Sequence, residues 1–206
     1  MDTFPTADVV NYLFRWVHYF SGVLWIGLLY FFNLINGVVA GKMDADTKKK
    51  VLPELLPRTL FWFRWAAMFT FVTGWTIVTL KYLMPNGMGF FGTSHGINIS
   101  IGMTLGTIMW FNVWFIIWPA QRKIIKGIIS GTPADPALPK KALLASRANT
   151  YMSVPLLYFM GAGAHLGPIL DIKSGTGLAF TLAIVAISEL IVWYSIKQSS
   201  QISTEV

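Results

Sequence analysis

Three histidines and one arginine are the residues of this chain best suited to chemistry. His18, His95 and His165 supply imidazole, an axial ligand for haem and a common ligand for copper or zinc. The chain has no cysteine, which removes disulfides, thiolate metal sites, iron–sulfur clusters and covalent c-type haem attachment. A haem or metal is left with His, Met or oxygen ligands. Arg15 lies three residues before His18, so the two share a helical face. An axial histidine near a membrane surface would bring haem propionates to that surface. Arg15 could then pair with one of them bidentately; its other reading is an anchor to lipid phosphate.

Small residues accompany each histidine. Gly22 follows His18 by four, Gly102 and Gly106 follow His95 by seven and eleven, and Gly161 precedes His165 by four. These offsets keep each glycine on its histidine's face of a helix. Glycine there leaves room for a flat ligand, or lets two helices approach closely, as the GxxxG spacing of Gly102 and Gly106 also permits. Met103, Met109, Met152 and Met160 lie in apolar runs, where filling core gaps is the commoner role, and none is assigned as a ligand. Glu189 is an acid well inside an apolar run, and Arg64 reads as a snorkelling cation. No HExxH, P-loop, dinucleotide-binding or nucleophile-elbow pattern occurs. Cofactor chemistry is therefore the better-supported class.

The elements that must position these groups are membrane helices. Of the 206 residues 54% are hydrophobic and 12% charged, against about 25% charged in a soluble domain. Five apolar runs, roughly 9–39, 60–83, 94–118, 151–166 and 178–196, predict about five spans in a single all-α transmembrane domain covering 1–206. The fourth run is short and needs its flanks. Gly41–Arg58, with Pro53 and Pro57, reads as a polar loop. The stretch after Pro119 has isoleucines at 124, 125, 128 and 129, which predicts an amphipathic helix lying on the membrane or extending the third span.

The net charge of +7 is a topology signal and not a nucleic-acid footprint, because the basic residues cluster in short segments between runs. Lys42, Lys48, Lys49, Lys50 and Arg58 follow the first run. Arg122, Lys123, Lys126, Lys140, Lys141 and Arg147 follow the third, and Lys197 follows the fifth. The opposite side has Arg15, Lys81 and Lys173. The positive-inside rule then places the N-terminus outside and the C-terminus in the cytoplasm of a bacterial inner membrane, with all three histidines toward the periplasm. The N-terminus, with Asp2 and no small-residue cleavage site, does not read as a cleavable signal peptide.

Several stretches resemble the N-terminal membrane domain of membrane-bound urate oxidase (urate hydroxylase). They are RWVHYFSGVLWIG (Arg15–Gly27), WFRWAAMFTFVTG (Trp62–Gly74), GTIMWFNVWFIIWPAQRKII (Gly106–Ile125) and SRANTYMSVPLLYFMGAGAH (Ser146–His165). His18 and His165 fall at the family's motif positions. Long members continue into a periplasmic cytochrome c domain with a CxxCH site; this chain ends at Val206 without cysteine and reads as a short form. In helical style it is also similar to small membrane b-type cytochromes and copper-resistance membrane proteins, an analogy of fold.

These observations lead to an expected membrane electron-transfer subunit. Two of the three histidines would hold haem b near the periplasmic face, exchanging electrons with a periplasmic cytochrome c or a larger membrane complex. Three other readings compete with it. One is a cofactor-free accessory subunit packed against other membrane subunits, another a three-histidine copper or other metal site, and the last urate oxidation through a separate cytochrome c.

Overall fold

The computed structural model describes residues 6–132, 134–167 and 169–202. Five long helices account for nearly all of them, and no strand occurs among the described residues. They are α1 (Ala7–Lys42), α2 (Ala45–Gly92), α3 (Ser94–Ser130), α4 (Ala137–His165) and α5 (Gly175–Gln201). α1 packs along α2 and α3 along α4; α3 also meets α2, and α4 meets α1, closing a four-helix ring. α5 lies outside the ring against α4 and residues Phe31–Asn36 of α1.

α1, α2, α3 and α5 are each long and apolar enough to cross a membrane. α4, which contains the fourth apolar run, is not among them despite its 29 residues. The reason is where it sits. It buries Asn149, Thr150 and Ser153 together with Leu156, Phe159 and Ala162 against its neighbours. On that buried face the polar side chains are satisfied by neighbouring helices, while Leu143, Leu144 and Leu157 remain exposed.

The expected loop over 41–58 is instead the start of α2. Asp44 caps it, accepting from the backbone N–H of Asp46 and Thr47 at 2.9 Å each. Pro53 and Pro57 lie inside the helix. Proline normally breaks a helix by removing a donor and crowding the preceding turn. Here Leu52, Leu56, Leu60 and Phe63 form a buried stripe at helical spacing, and burial of that stripe holds the turn helical. Ile125 and Leu156 join the same core. The segment after Pro119 therefore extends α3 without lying flat, and its Ile125 and Ile128 face α2 and α4. Helices of 36, 48 and 37 residues overrun a bilayer core, which takes about 20 residues. The excess lies at the end holding Lys42, Lys48–Lys50, Lys123 and Lys140, the basic end. The opposite end carries Thr93 and His165 and is called the histidine end below.

Three of the long helices relax into π-helical turns, at Phe31–Asn36, Thr79–Leu83 and Asn112–Ile117. Asparagines explain two of them. Asn33 Nδ2 donates to the Leu29 carbonyl at 2.9 Å and to Ser146 Oγ at 2.8 Å. Asn112 Nδ2 donates to Asn149 Oδ1 at 2.8 Å, and Asn149 Nδ2 to the Met109 carbonyl at 2.9 Å. Tyr30 and Ser153 share a hydrogen bond of 2.9 Å at the same level. Apart from the Asn33–Leu29 bond within α1, each ties α4 to α1 or α3 through side chains that lipid could not satisfy. Ser199 of α5 donates to the Leu34 carbonyl in the first π turn, which fixes the outer helix to the ring.

Candidate functional site

The π turn of α2, Thr79–Leu83, carries the residue around which the histidine end is organised. Tyr82 points between α1 and α3. Arg15 Nη2 approaches its hydroxyl at 3.5 Å. Its ring stacks on Phe90 with centroids 4.6 Å apart, and His95 lies tilted against both rings at 5.0 and 5.5 Å. Thr93 caps α3 just before His95, accepting from the Gly96 N–H at 2.9 Å. His95 is thereby fixed in the first turn. Lys81 and Arg15 are within electrostatic range of His95. Two atoms of the cluster, Arg15 Nε and His95 Nε2, are buried without a hydrogen-bond partner. An unpartnered buried guanidinium N–H and imidazole nitrogen beside several cations mark a place suited to an anionic group.

His18 stands deeper, between α1 and α2. Its Nδ1 lies 3.2 Å from Thr73 Oγ1. The Thr73 hydroxyl already donates to the Phe69 carbonyl at 2.5 Å. It must therefore accept from His18, which assigns the proton to Nδ1 and leaves the Nε2 lone pair free. This is the arrangement a metal-ligating imidazole adopts, one nitrogen oriented by the protein and the other presented to the ligand. Gly74 makes the seat: a Cβ there would come within 3.0 Å of His18 Cε1.

The histidines are not gathered at one point. His18 rests at Gly74 and His95 at Tyr82, eight residues further along α2, roughly 12 Å at helical rise. His165 is exposed at the end of α4. Among the described residues no three His, Asp or Glu groups come close enough to hold a metal ion. The glycines also divide. A Cβ on Gly102 would meet Met160 Cε at 2.9 Å, and one on Gly106 would touch Leu156 at 3.7 Å, so both serve the packing of α3 on α4. Gly22 faces the Thr70 methyl at 3.9 Å, and Gly161 has open space beside it. Thr73, Gly74 and Tyr82 are the site residues that sequence reasoning missed. Haem is compatible with the donors present in one respect: His18 offers a free, oriented nitrogen, and Arg15, Lys81 and His95 lie toward the surface from it. A sandwich of one iron between His18 and His95 is not formed in this arrangement.

The urate oxidase N-terminal family matches residues 88–205 of the 206-residue chain. That stretch contains His95 and His165, while Arg15 and His18 precede it. Neither the curated proteins nor the solved structures give a match to this chain. With more than half of its length matched, in α3, α4 and α5, the chain belongs to the urate oxidase N-terminal family.

Proposed function

We propose that this protein is a membrane electron-transfer subunit. It would hold haem b at the histidine end and exchange electrons with a periplasmic cytochrome c or a larger membrane complex. The observation that carries this reading is the state of His18. Its Nδ1 proton is committed to Thr73, its ring is seated on Gly74, and its Nε2 is left as a ligand. His18 would be the residue that ligates the haem in this reading. Arg15 and Lys81 would neutralise the carboxylates of the bound group, with Arg15 steadied by Tyr82. His95, with its unpartnered Nε2, would face the same anionic edge. Haem supplies a one-electron couple whose potential depends on its axial ligand and on burial.

The test is a dithionite-reduced minus oxidised spectrum, with a pyridine haemochrome assay, on protein isolated gently with its native partners. A b-type α-band that disappears in His18→Ala supports the reading. A flat spectrum overturns it, and stoichiometric copper without a Soret band replaces it with a metal site.

A second reading, a cofactor-free accessory subunit, rests on a different observation. The glycines of α3 are filled by Met160 and Leu156 of α4, so that half of the ring is closed by protein alone. Wild-type stability in His18→Ala and His95→Ala variants, with no chromophore, is its expected signature.

A further inference from the structure

A second cationic cluster lies toward the basic end and is independent of the histidines. Arg64, on α2, sits with its guanidinium carbon 4.2 Å from the ring centre of Trp118, 5.0 Å from Trp114 and 5.8 Å from Trp65. Cation–π contact accounts for the faces of the guanidinium but leaves its edge. Arg64 Nε and Trp114 Nε1 are both buried and have no hydrogen-bond partner. The charge within range of Arg64 is Arg122, of the same sign. Arg122 follows Trp118 by four residues on α3, so it stands one turn beyond the cage. No carboxylate answers either arginine: the ion pairs among the described residues are Arg58–Glu54 and Lys173–Asp171.

Two neighbouring cations and an indole N–H without an acceptor would be costly at the edge of a bilayer. Tryptophans concentrate at that level, where lipid phosphates lie. From the cage, Trp65 contacts Phe61 and Phe69, whose exposed rings continue the surface along α2. We propose that Arg64, Arg122 and Trp114 bind the headgroup phosphate of one anionic phospholipid, with an acyl chain laid over Trp65 and Phe69. A phosphodiester oxygen pair matches the guanidinium edge. Arg122 adds a second positive charge beside the same phosphate, and a choline ammonium would be repelled by the pair, which favours an anionic over a zwitterionic lipid.

The full chain, delipidated in mild detergent, is titrated with phosphatidylglycerol or phosphatidylcholine and followed by native mass spectrometry and thermal unfolding. One phosphatidylglycerol per chain should bind in preference to phosphatidylcholine. Arg122→Gln should weaken it roughly tenfold, the loss of a charge-assisted bond, and Arg64→Gln at least as much. Replacing Lys48, Lys49 and Lys50 by Gln should leave it unchanged. Equal binding of phosphatidylcholine, or no effect of Arg122→Gln, overturns the proposal. Because Arg122 is exposed, that variant decides the matter even if Arg64→Gln fails to fold. Inorganic phosphate that competes with the lipid and gives the same stabilisation alone would overturn it in favour of a soluble anion.

Discussion

At His18 a single hydroxyl decides what the imidazole can do. Thr73 accepts from Nδ1 because its own proton is spent on the Phe69 carbonyl. Thr73→Val keeps the shape of the side chain and removes that acceptor. Loss of such a supporting bond weakens metal ligation roughly tenfold or more, so the variant should retain less haem on titration while unfolding near the wild-type temperature. Gly74 acts through space alone. Gly74→Val would drive a side chain into the imidazole, whose Cε1 is already 3.0 Å from an added Cβ. The expected cost is about 1–3 kcal/mol, as for other overpacked cores, measured by unfolding in mixed detergent. Arg15 and His18 were legible in the sequence because a three-residue spacing on one helix is local information. Their partners were not. Thr73 is 55 residues from His18 and Tyr82 is 67 from Arg15, and no spacing rule links positions on two different helices. Gly22, the glycine nearest His18 in sequence, faces the Thr70 methyl at 3.9 Å, while Gly74 of α2 lies against the ring. Arg64 likewise read as a snorkelling cation, whereas Trp114 and Trp118, two helical turns of another element, enclose it.

At the scale of the helix, the sequence carried the apolar runs faithfully and the polar stretches poorly. Five runs became five helices, since hydropathy over about 20 residues is a property of the run itself. The proline-containing segment after the first run became helix because its leucines bury against α3 and α4, a gain that exists only after those helices have met. α4 reversed the usual signal: its polar residues are the glue of the ring. Asn149→Leu would strand Asn112 Nδ2 and remove one of the two donors to the Met109 carbonyl, which keeps the Asn112 N–H, and should cost about 1–3 kcal/mol. The seam between α3 and α4 offers a sharper test. Gly102→Val should destabilise by a similar amount through its 2.9 Å approach to Met160 Cε, and Met160→Ala should recover much of the loss in the double variant. The start of α2 depends on Asp44, whose carboxyl is held below its ordinary 3.8 chiefly by the Thr47 hydroxyl and then by the helix N–H groups. That contribution is present above the unfolded value and is lost as pH falls through the lowered one, so the cap is intact at neutral pH. Trypsin at Lys48–Lys50 should then cut Asp44→Ala faster than wild type at neutral pH, with Asp44→Asn close to wild type.

For the whole molecule, the two ends of the bundle differ in chemistry, and that difference fixes an expected orientation. The histidine end has few charges and closes with short connections, Thr93 between α2 and α3 and residues 166–174 between α4 and α5. The basic end carries the overrun of three helices and most of the lysines and arginines. Short segments rich in Lys and Arg stay in the cytoplasm, which predicts that the histidine end faces outward; under the proposed function an electron partner would then approach through Arg15, Lys81 and His95. The absence of cysteine makes the test clean. Met88 is exposed on the turn at the histidine end and Ile129 is exposed at the basic end of α3. A thiol placed by Met88→Cys should react with a membrane-impermeant maleimide in intact spheroplasts. Ile129→Cys should react after the membrane is opened and not before. The reverse pattern would put the histidines in the cytoplasm. It would leave the haem reading of His18 standing but remove a periplasmic cytochrome c as its partner, because the donor nitrogen and the soluble carrier would then lie on opposite sides of the membrane.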